Sequence, residues 1–259
     1  MSKRFWKLSA WTLALAIAVA PQWLNAQERK VKLAAGEANP DHATVELFQA
    51  IADGQVEAKF IPRDAEEARL FVKNKTDKPL NIALPDAFVG MPVLAQFGGG
   101  GINGGGGGNQ AAGGGLGGGG AGAGGGAGGG GFFMNVAPDK TGDLKVGIFC
   151  LEHGKAEPRP QVAYEIKPIS AFTDNKAVHE LCRLYGSGRL SHSATQAAAW
   201  HLSNGMSWQE LIAKRIKRAN GTSYPYFSQF DLQAAYQIAE LAKKRATEGE
   251  TASPGESQQ

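Results

Sequence analysis

The chain has 259 residues, of which 42% are hydrophobic, and a formal net charge of +3. Lys3, Arg4 and Lys7 supply the whole excess of 27 basic over 24 acidic residues, so the chain beyond residue 26 is neutral overall. A neutral chain lacks the basic surface typical of nucleic-acid-binding proteins. Beyond residue 26 no apolar run reaches the roughly 20 residues that a membrane-spanning helix needs. The composition therefore predicts neither nucleic-acid binding nor a membrane span.

The first 26 residues have the order of a secretory signal peptide. Three basic residues precede an apolar run from Leu8 to about Val19, and Ala26 follows at the position expected for cleavage. The run is shorter than a membrane anchor requires. We therefore expect residues 1–26 to be removed and the mature chain to work in the periplasm, in the cell envelope or outside the cell.

Residues 27–54 are predicted to be an N-terminal arm with a short helix that ends near Gly54. From 55 to 168, short runs alternate apolar and polar residues, as half-buried strands do. The runs are 56–61, 68–72, 80–84, 88–95, 132–136, 144–150 and 162–166. Seven short strands separated by turn residues favour an immunoglobulin-like antiparallel β-sandwich. The overall class is then α+β, since helices follow the strands.

A glycine tract interrupts the strand pattern. Residues 98–131 contain 24 of the 36 glycines, and Phe132 and Phe133 open another strand directly after them. A nucleotide-binding loop would instead lead into a helix. We expect 98–131 to be a disordered insertion within the sandwich. Because loop-closure entropy grows slowly with length, a four-residue turn in its place is expected to leave folding intact.

After residue 168 the apolar spacing becomes helical, and 169–248 is predicted to be a unit of about four helices. Ser207 and Glu210 form a capping box at the start of the third helix. The polar segment 249–259 is predicted to be a disordered tail. The remaining start signals are Thr173 or Asp174 for the first helix, Ser193 for the second and Ser228 for the fourth.

Two groups of residues in the helical unit stand out. The first is predicted to form the helix–helix core and comprises Ala197, Ala198, Trp200, Trp208 and Phe230. The second is basic and comprises Lys214, Arg215, Lys217 and Arg218 on the third helix, with Lys243, Lys244 and Arg245 near the end of the fourth. The basic group is either a solvated face or a surface for an anionic partner such as an envelope glycan.

Cys150 and Cys182 are the only cysteines. Outside the cytoplasm two cysteines usually pair, which favours a disulfide. Two buried thiols are the second interpretation. The third adds His153 and His179 to give a Cys2His2 zinc site. That site needs a turn directly after Cys150, because residues three apart on a strand face opposite sides.

Nothing in the chain has the spacing of a familiar catalytic motif. Neither a Gly-x-Ser-x-Gly elbow nor a His-Glu-x-x-His helix is present, and no cofactor is implied. The sequence therefore favours a non-enzymatic binding, adhesion or assembly module whose partner is an envelope protein or an anionic glycan. The alternative is a metal-dependent binder or enzyme that uses Cys150, His153, His179 and Cys182.

Three phrases resemble a family of exported, glycine-tract-containing proteins from planctomycete-type bacteria. They are Val72–Leu80 (VKNKTDKPL), Cys150–Lys155 (CLEHGK) and Gln196–Leu202 (QAAAWHL), with the glycine tract between the first two. The resemblance implies a bacterial envelope or extracellular setting. It implies no activity, cofactor or catalytic residue.

The signal peptide can be tested on protein expressed in a bacterium with its own export system. We expect the exported form to begin at Gln27 or its cyclised derivative, because cleavage after Ala26 leaves that residue first. Intact-mass measurement of the exported fraction checks this. Recovery of the chain only in the cytoplasm, with Met1 attached, would contradict it.

Overall fold

The structure is a computed structural model and describes residues 38–93, 108–116 and 132–251. Eleven strands and five helices in these ranges make an α+β protein, which confirms the predicted class. The strands are β1 (Ala43–Glu46), β2 (Val56–Pro62), β3 (Glu67–Asn74), β4 (Leu80–Ala83), β5 (Phe88–Pro92), β6 (Ala112–Gly114), β7 (Phe133–Val136), β8 (Thr141–Cys150), β9 (Tyr164–Pro168), β10 (Arg215–Lys217) and β11 (Ser223–Pro225). The helices are α1 (Leu47–Ala52), α2 (Lys176–Gly186), α3 (His192–Asn204), α4 (Trp208–Ala213) and α5 (Gln229–Thr251), with a 3-10 turn at Ile169–Ala171.

Six strands close into a barrel in the order β2-β3-β8-β6-β5-β9. Each of the pairings is antiparallel, and β9 returns to β2 through the pair Tyr164 and Phe60. Closure matters because an open sheet would present unpaired N–H and C=O groups along its edges. A separate three-stranded sheet, in the order β1-β4-β7, shares one hydrophobic cluster with the barrel strands.

Two hydrophobic clusters lie on opposite faces of the same strands. Phe88 and Ile148 belong to the cluster that includes the barrel interior, whereas their neighbours Val89 and Phe149 belong to the cluster shared with the helices. Successive side chains on a strand point to opposite faces. The first part of β5 and the end of β8 from Ile148 to Cys150 are therefore buried on both sides, which explains why apolar residues follow one another there, whereas Lys145 and Gly147 earlier in β8 are exposed.

The predicted sandwich is wrong, although each of the seven strand runs corresponds to a strand. The difference lies in β6, which pairs with β5 on one side and with β8 on the other. Without β6, two edges would stay open and a two-layer sandwich would be the natural solution. With it, the sheet closes.

β6 comes from within the glycine tract. Residues 111–116 are buried, and a Cβ atom added to Gly115 would lie 2.6 Å from the Asp86 carbonyl oxygen and 3.0 Å from the Gly186 Cα. The backbone of α2 approaches so closely that only glycine fits. The prediction of a disordered insertion over 98–131 is therefore wrong for 108–116, and the rest of the tract lies outside the described residues. Replacing the whole tract with a turn would remove a barrel strand.

The helical unit follows the predicted start signals with small shifts. The capping box of Ser207 and Glu210 is confirmed at the start of α4. Asn175 caps α2 and Ser191 caps α3, each within two residues of the predicted cap. At the fourth start signal, Ser228 hydrogen-bonds Asp231. α5 then continues into the predicted tail as far as Thr251, and 252–259 lies outside the described residues.

Two predictions for the helical unit need correction. The third helix ends at Ala213, and the basic residues after it lie on the hairpin β10–β11 instead of on a helix. Phe230 is 78% exposed and so is not part of the core, and Trp208 is only half-buried, whereas Trp200 is buried as predicted. The buried face of α5 comprises Ala235, Ile238, Ala239 and Ala242, and Phe230 lies outside it. In the described part of the chain, no helix is both long and apolar enough to cross a bilayer.

The close approach at Gly115 can be tested with one methyl group. We expect Gly115→Ala to lower the free energy of unfolding by about 1–3 kcal/mol, because the methyl group must displace backbone atoms of α2 and of the β4–β5 loop. Gly249→Ala is the matched control, since nothing lies within 4 Å of its added Cβ. Urea unfolding measures both. Equal stability of the two variants would show that β6 does not lie against α2.

Candidate functional site

α3 is fastened to the end of β8 by polar side chains. Gln196 accepts a hydrogen bond from the Cys150 N–H and donates one to the Cys150 carbonyl, each at 2.8 Å. The Ser203 hydroxyl donates to the Leu151 carbonyl at 2.9 Å. Gln196 thus pairs with a buried backbone as a neighbouring strand would. An unpaired buried group would destabilise the fold by about 1–3 kcal/mol, so these contacts hold α3 in a fixed place on the barrel.

A cavity of about 420 Å³ lies where α3 meets the β2–β3 turn and the end of β8. Pockets of this size take small ligands. The lining residues are Asp64, Ala65, Glu66, Cys150, Glu157, His192, Gln196, Trp200 and Tyr226. We call this space the junction cavity. Three carboxylates and two aromatic rings line it, and no lysine or arginine is among the described residues that do so.

Trp200 lines the junction cavity, and its indole nitrogen is buried. The residue is 5% exposed, and its indole Nε1–H has no hydrogen-bond partner among the described residues. Its ring packs against Tyr226 and Phe227, with centroids 5.4 and 5.7 Å away. These three residues form what we call the aromatic cluster. The cluster fixes the indole in place, so its N–H cannot easily turn toward water.

A lysine already lies against the aromatic cluster. The Lys214 Nζ is 5.0 Å from the ring centroids of both Trp200 and Tyr226, a distance at which cation–π attraction operates. It is also 2.8 Å from the Nε2 of His153, whose ring packs edge-on against Trp200. Burial lowers the pKa of Lys214. Burial and, after it, the Lys214 charge lower the pKa of His153.

His192, at the start of α3, connects the helix to the β2–β3 turn. Its Nε2 is 3.2 Å from the Ala65 carbonyl oxygen, and its Nδ1 is 3.6 Å from a Glu66 carboxylate oxygen. When Nε2 carries the proton it donates to the carbonyl. Both ring nitrogens therefore face the turn, and the histidine positions this wall of the junction cavity.

The predicted disulfide between Cys150 and Cys182 is wrong. Both cysteines are free and buried. Cys150 is paired with Ala112 of β6, whereas Cys182 lies against Gly114 and Gly115, two to three residues further along. At the rise of a strand this offset is on the order of 7–10 Å, too long for a bond. The interpretation as two buried thiols fits this arrangement.

The zinc alternative has no site to support it. His153 lies beside Trp200 and Lys214, while the Nε2 of His179 is 2.7 Å from the Thr173 carbonyl oxygen at the start of α2. Among the residues that the structure describes, which include all four proposed ligands, no three His, Cys, Asp or Glu side chains could hold a metal ion. The turn needed after Cys150 does occur, yet it aims His153 at the aromatic cluster.

Comparison with known proteins adds no relative. No family model, curated protein or solved structure matches this chain. The resemblance to exported proteins of planctomycete-type bacteria therefore stays a prediction. Arguments about function have to come from the junction cavity itself.

Sequence reasoning missed most of this cavity. Of its lining residues only Cys150 was a candidate site residue, and Trp200 was predicted solely as core. The others come from separate parts of the chain and form no motif, namely Asp64, Ala65, Glu66, Glu157, His192, Gln196 and Tyr226. One signal was available: Gln196 is a long polar side chain within the alanine-rich core face of α3, and a buried glutamine needs partners.

The free thiols can be tested with N-ethylmaleimide. Burial raises the pKa of each thiol from 9.0 to about 12, so at pH 7 neither presents the reactive thiolate. We expect native protein to stay unlabelled for the time in which urea-unfolded protein gains two labels, as measured by mass. The variants Cys150→Ala and Cys182→Ala assign each label. Unfolded protein that takes up label only after reduction would instead reveal a disulfide.

Proposed function

We propose that this chain is an exported, non-enzymatic binding module that holds a small ligand in the junction cavity. The observation that carries the proposal is the junction cavity itself, a space of about 420 Å³ lined by the aromatic rings of Trp200 and Tyr226 and by polar side chains. Pockets of this size and mixed lining take small ligands.

The construction of the cavity supports binding. Both ends of the Gln196 amide hydrogen-bond the Cys150 backbone, and His192 faces the β2–β3 turn. The walls of the cavity are therefore held in place by contacts within the protein. A preorganised wall favours affinity because little ordering is needed when the ligand enters. The polar groups left for the ligand include the carboxylates of Asp64, Glu66 and Glu157, which belong to exposed residues.

The same geometry gives less support to catalysis. A thiol nucleophile needs a lowered pKa, and burial raises that of Cys150 to about 12. The four residues of the metal-dependent alternative do not converge in the described structure. Export is supported by the signal-like order of residues 1–26 alone. An anionic glycan as partner of the basic hairpin rests on charge alone, and it is secondary to the cavity.

Binding can be tested by ligand-observed NMR with a fragment set of cationic, neutral and anionic molecules. We expect some fragments to bind the full chain and to lose binding in Ala65→Trp. Ala65 is half-buried on the cavity wall, so an indole there blocks the space without entering the core.

The matched control is Ala137→Trp, at an exposed position that does not line the cavity, and it should bind as the parent does. Circular dichroism melting confirms that both variants fold. Absence of binding by any fragment, or binding that Ala65→Trp leaves unchanged, would contradict the proposed function.

A further inference from the structure

The β10–β11 hairpin is held to the rest of the fold at its base. None of the residues in its two strands is buried, so the strands themselves contribute little apolar packing. The base consists of Lys214, which precedes β10, and Tyr226, which follows β11. The Tyr226 N–H donates a hydrogen bond to the Lys214 carbonyl at 2.9 Å. The position of the hairpin therefore depends on the contacts that these two residues make.

The side chain of Lys214 contacts two aromatic rings and one imidazole ring. Its Nζ is 5.0 Å from the ring centroids of Trp200 and Tyr226, and 2.8 Å from the Nε2 of His153. An ammonium group donates hydrogen bonds and accepts none. The Nε2 of His153 therefore accepts, which requires that this nitrogen carries no proton. The contact keeps this form only while His153 is neutral.

The His153 ring is held in place by α3. Its backbone N–H donates to the Asn204 side chain at 3.0 Å, and its ring packs edge-on against Trp200 with centroids 4.8 Å apart. Neither of these α3 side chains is charged. The ring therefore stays beside Lys214, and a change in its protonation acts on that contact directly.

The charged groups that act on His153 come from α4 and its end. They are Lys214, which disfavours a protonated imidazole, and Glu210, which favours one. The Glu210 carboxylate is engaged in the capping box with Ser207. In the loop of His153 itself, Glu152 and Lys155 form an ion pair with each other.

We infer that Lys214 and His153 form an acid-sensitive latch that holds the β10–β11 hairpin against the aromatic cluster. Proton uptake at the Nε2 of His153 removes the acceptor of the Lys214 hydrogen bond and places two positive charges side by side. Lys214 then leaves the imidazole and the aromatic rings. Because the hairpin begins at Lys214, its base opens.

The direction of the pH effect follows from the pKa of His153. Burial and, after it, the Lys214 charge lower this pKa while the latch is closed. The open state exposes an imidazole with the ordinary pKa of about 6.5, so it binds the proton more readily. The latch therefore stabilises the closed hairpin above about pH 6.5. Its contribution is lost as the pH falls toward the lower pKa of the closed state.

The latch does not depend on the proposed function, since it concerns the hairpin and needs no ligand. It reaches the junction cavity nonetheless, because Tyr226 lines that cavity and closes the hairpin on Lys214. Opening of the hairpin would loosen this wall of the cavity.

Amide hydrogen exchange of the full chain tests the latch. The probe is the Tyr226 N–H, whose hydrogen bond to the Lys214 carbonyl closes the base of the hairpin. Its exchange rate is measured at about pH 7.5 and about pH 5 and compared with the rate of the unfolded chain at the same pH. We expect its protection to fall about threefold or more at the lower pH, because proton uptake favours the open state.

Two variants separate the latch from a general effect of acid. His153→Gln keeps a neutral acceptor for Lys214 at every pH, so the protection of Tyr226 should become equal at the two pH values. Lys214→Met keeps the apolar stem and removes the charge, so NMR titration should give the His153 ring a higher pKa than in the parent. The matched control is His179→Gln, because the His179 ring contacts the Thr173 carbonyl at the start of α2. It should respond to acid as the parent does.

Three results would overturn the inference. They are equal protection of Tyr226 at both pH values in the parent, an unchanged acid response in His153→Gln, and a His153 pKa that Lys214→Met leaves unaltered. None of these measurements involves a ligand, so the proposed function stands or fails separately.

Discussion

The barrel depends on one close approach between backbones. β6 completes the ring of strands only because Gly115 lets the chain pass directly beneath the C-terminal end of α2, where any side chain would collide with the Asp86 carbonyl and with Gly186. Neighbouring Gly114 would likewise direct a side chain against the Gly147 carbonyl. Glycine loses more conformational entropy on folding than other residues do. The surrounding alanine and leucine side chains offset that loss through burial, since Ala111, Ala112 and Leu116 are each at most 6% exposed.

The helical unit takes its position from this closed barrel. Once β6 lies between β5 and β8, the outer faces of Val89 and Phe149 join the helices in one hydrophobic cluster. α3 then aligns with the end of β8 through Gln196, whose amide completes the hydrogen bonding of Cys150. The junction cavity is the space that these rigid parts leave between them. Its shape depends on closure of the barrel, although no residue of β6 lines it.

Electrostatics divides the surroundings of the aromatic cluster into two sides. Lys214 and His153 lie close together on one side, and burial lowers the pKa of each, so the protonated, charged form of each is disfavoured there. On the other side lies the junction cavity, which is lined by carboxylates as well as by Trp200 and Tyr226. The chain thus holds a cation of its own next to a cavity that carboxylates line.

The sequence by itself determined the local elements. Period-two runs marked seven strands, and side-chain caps such as Ser207 with Glu210 placed the helix starts within about two residues, because these signals act between neighbours in the chain. The sequence could not predict closure of the barrel. β6 consists of one alanine and two glycines, which have no strand preference of their own, and it is a strand because it pairs with β5 and β8. The sequence could not assemble the cavity either, because Glu66, Glu157 and Trp200 meet through the tertiary structure alone. The expected location outside the cytoplasm favoured a disulfide. Cys150 and Cys182 lie against positions of the β6 segment that are two to three residues apart, and this separation excludes the bond. That separation is a distance, and composition carries no information about it.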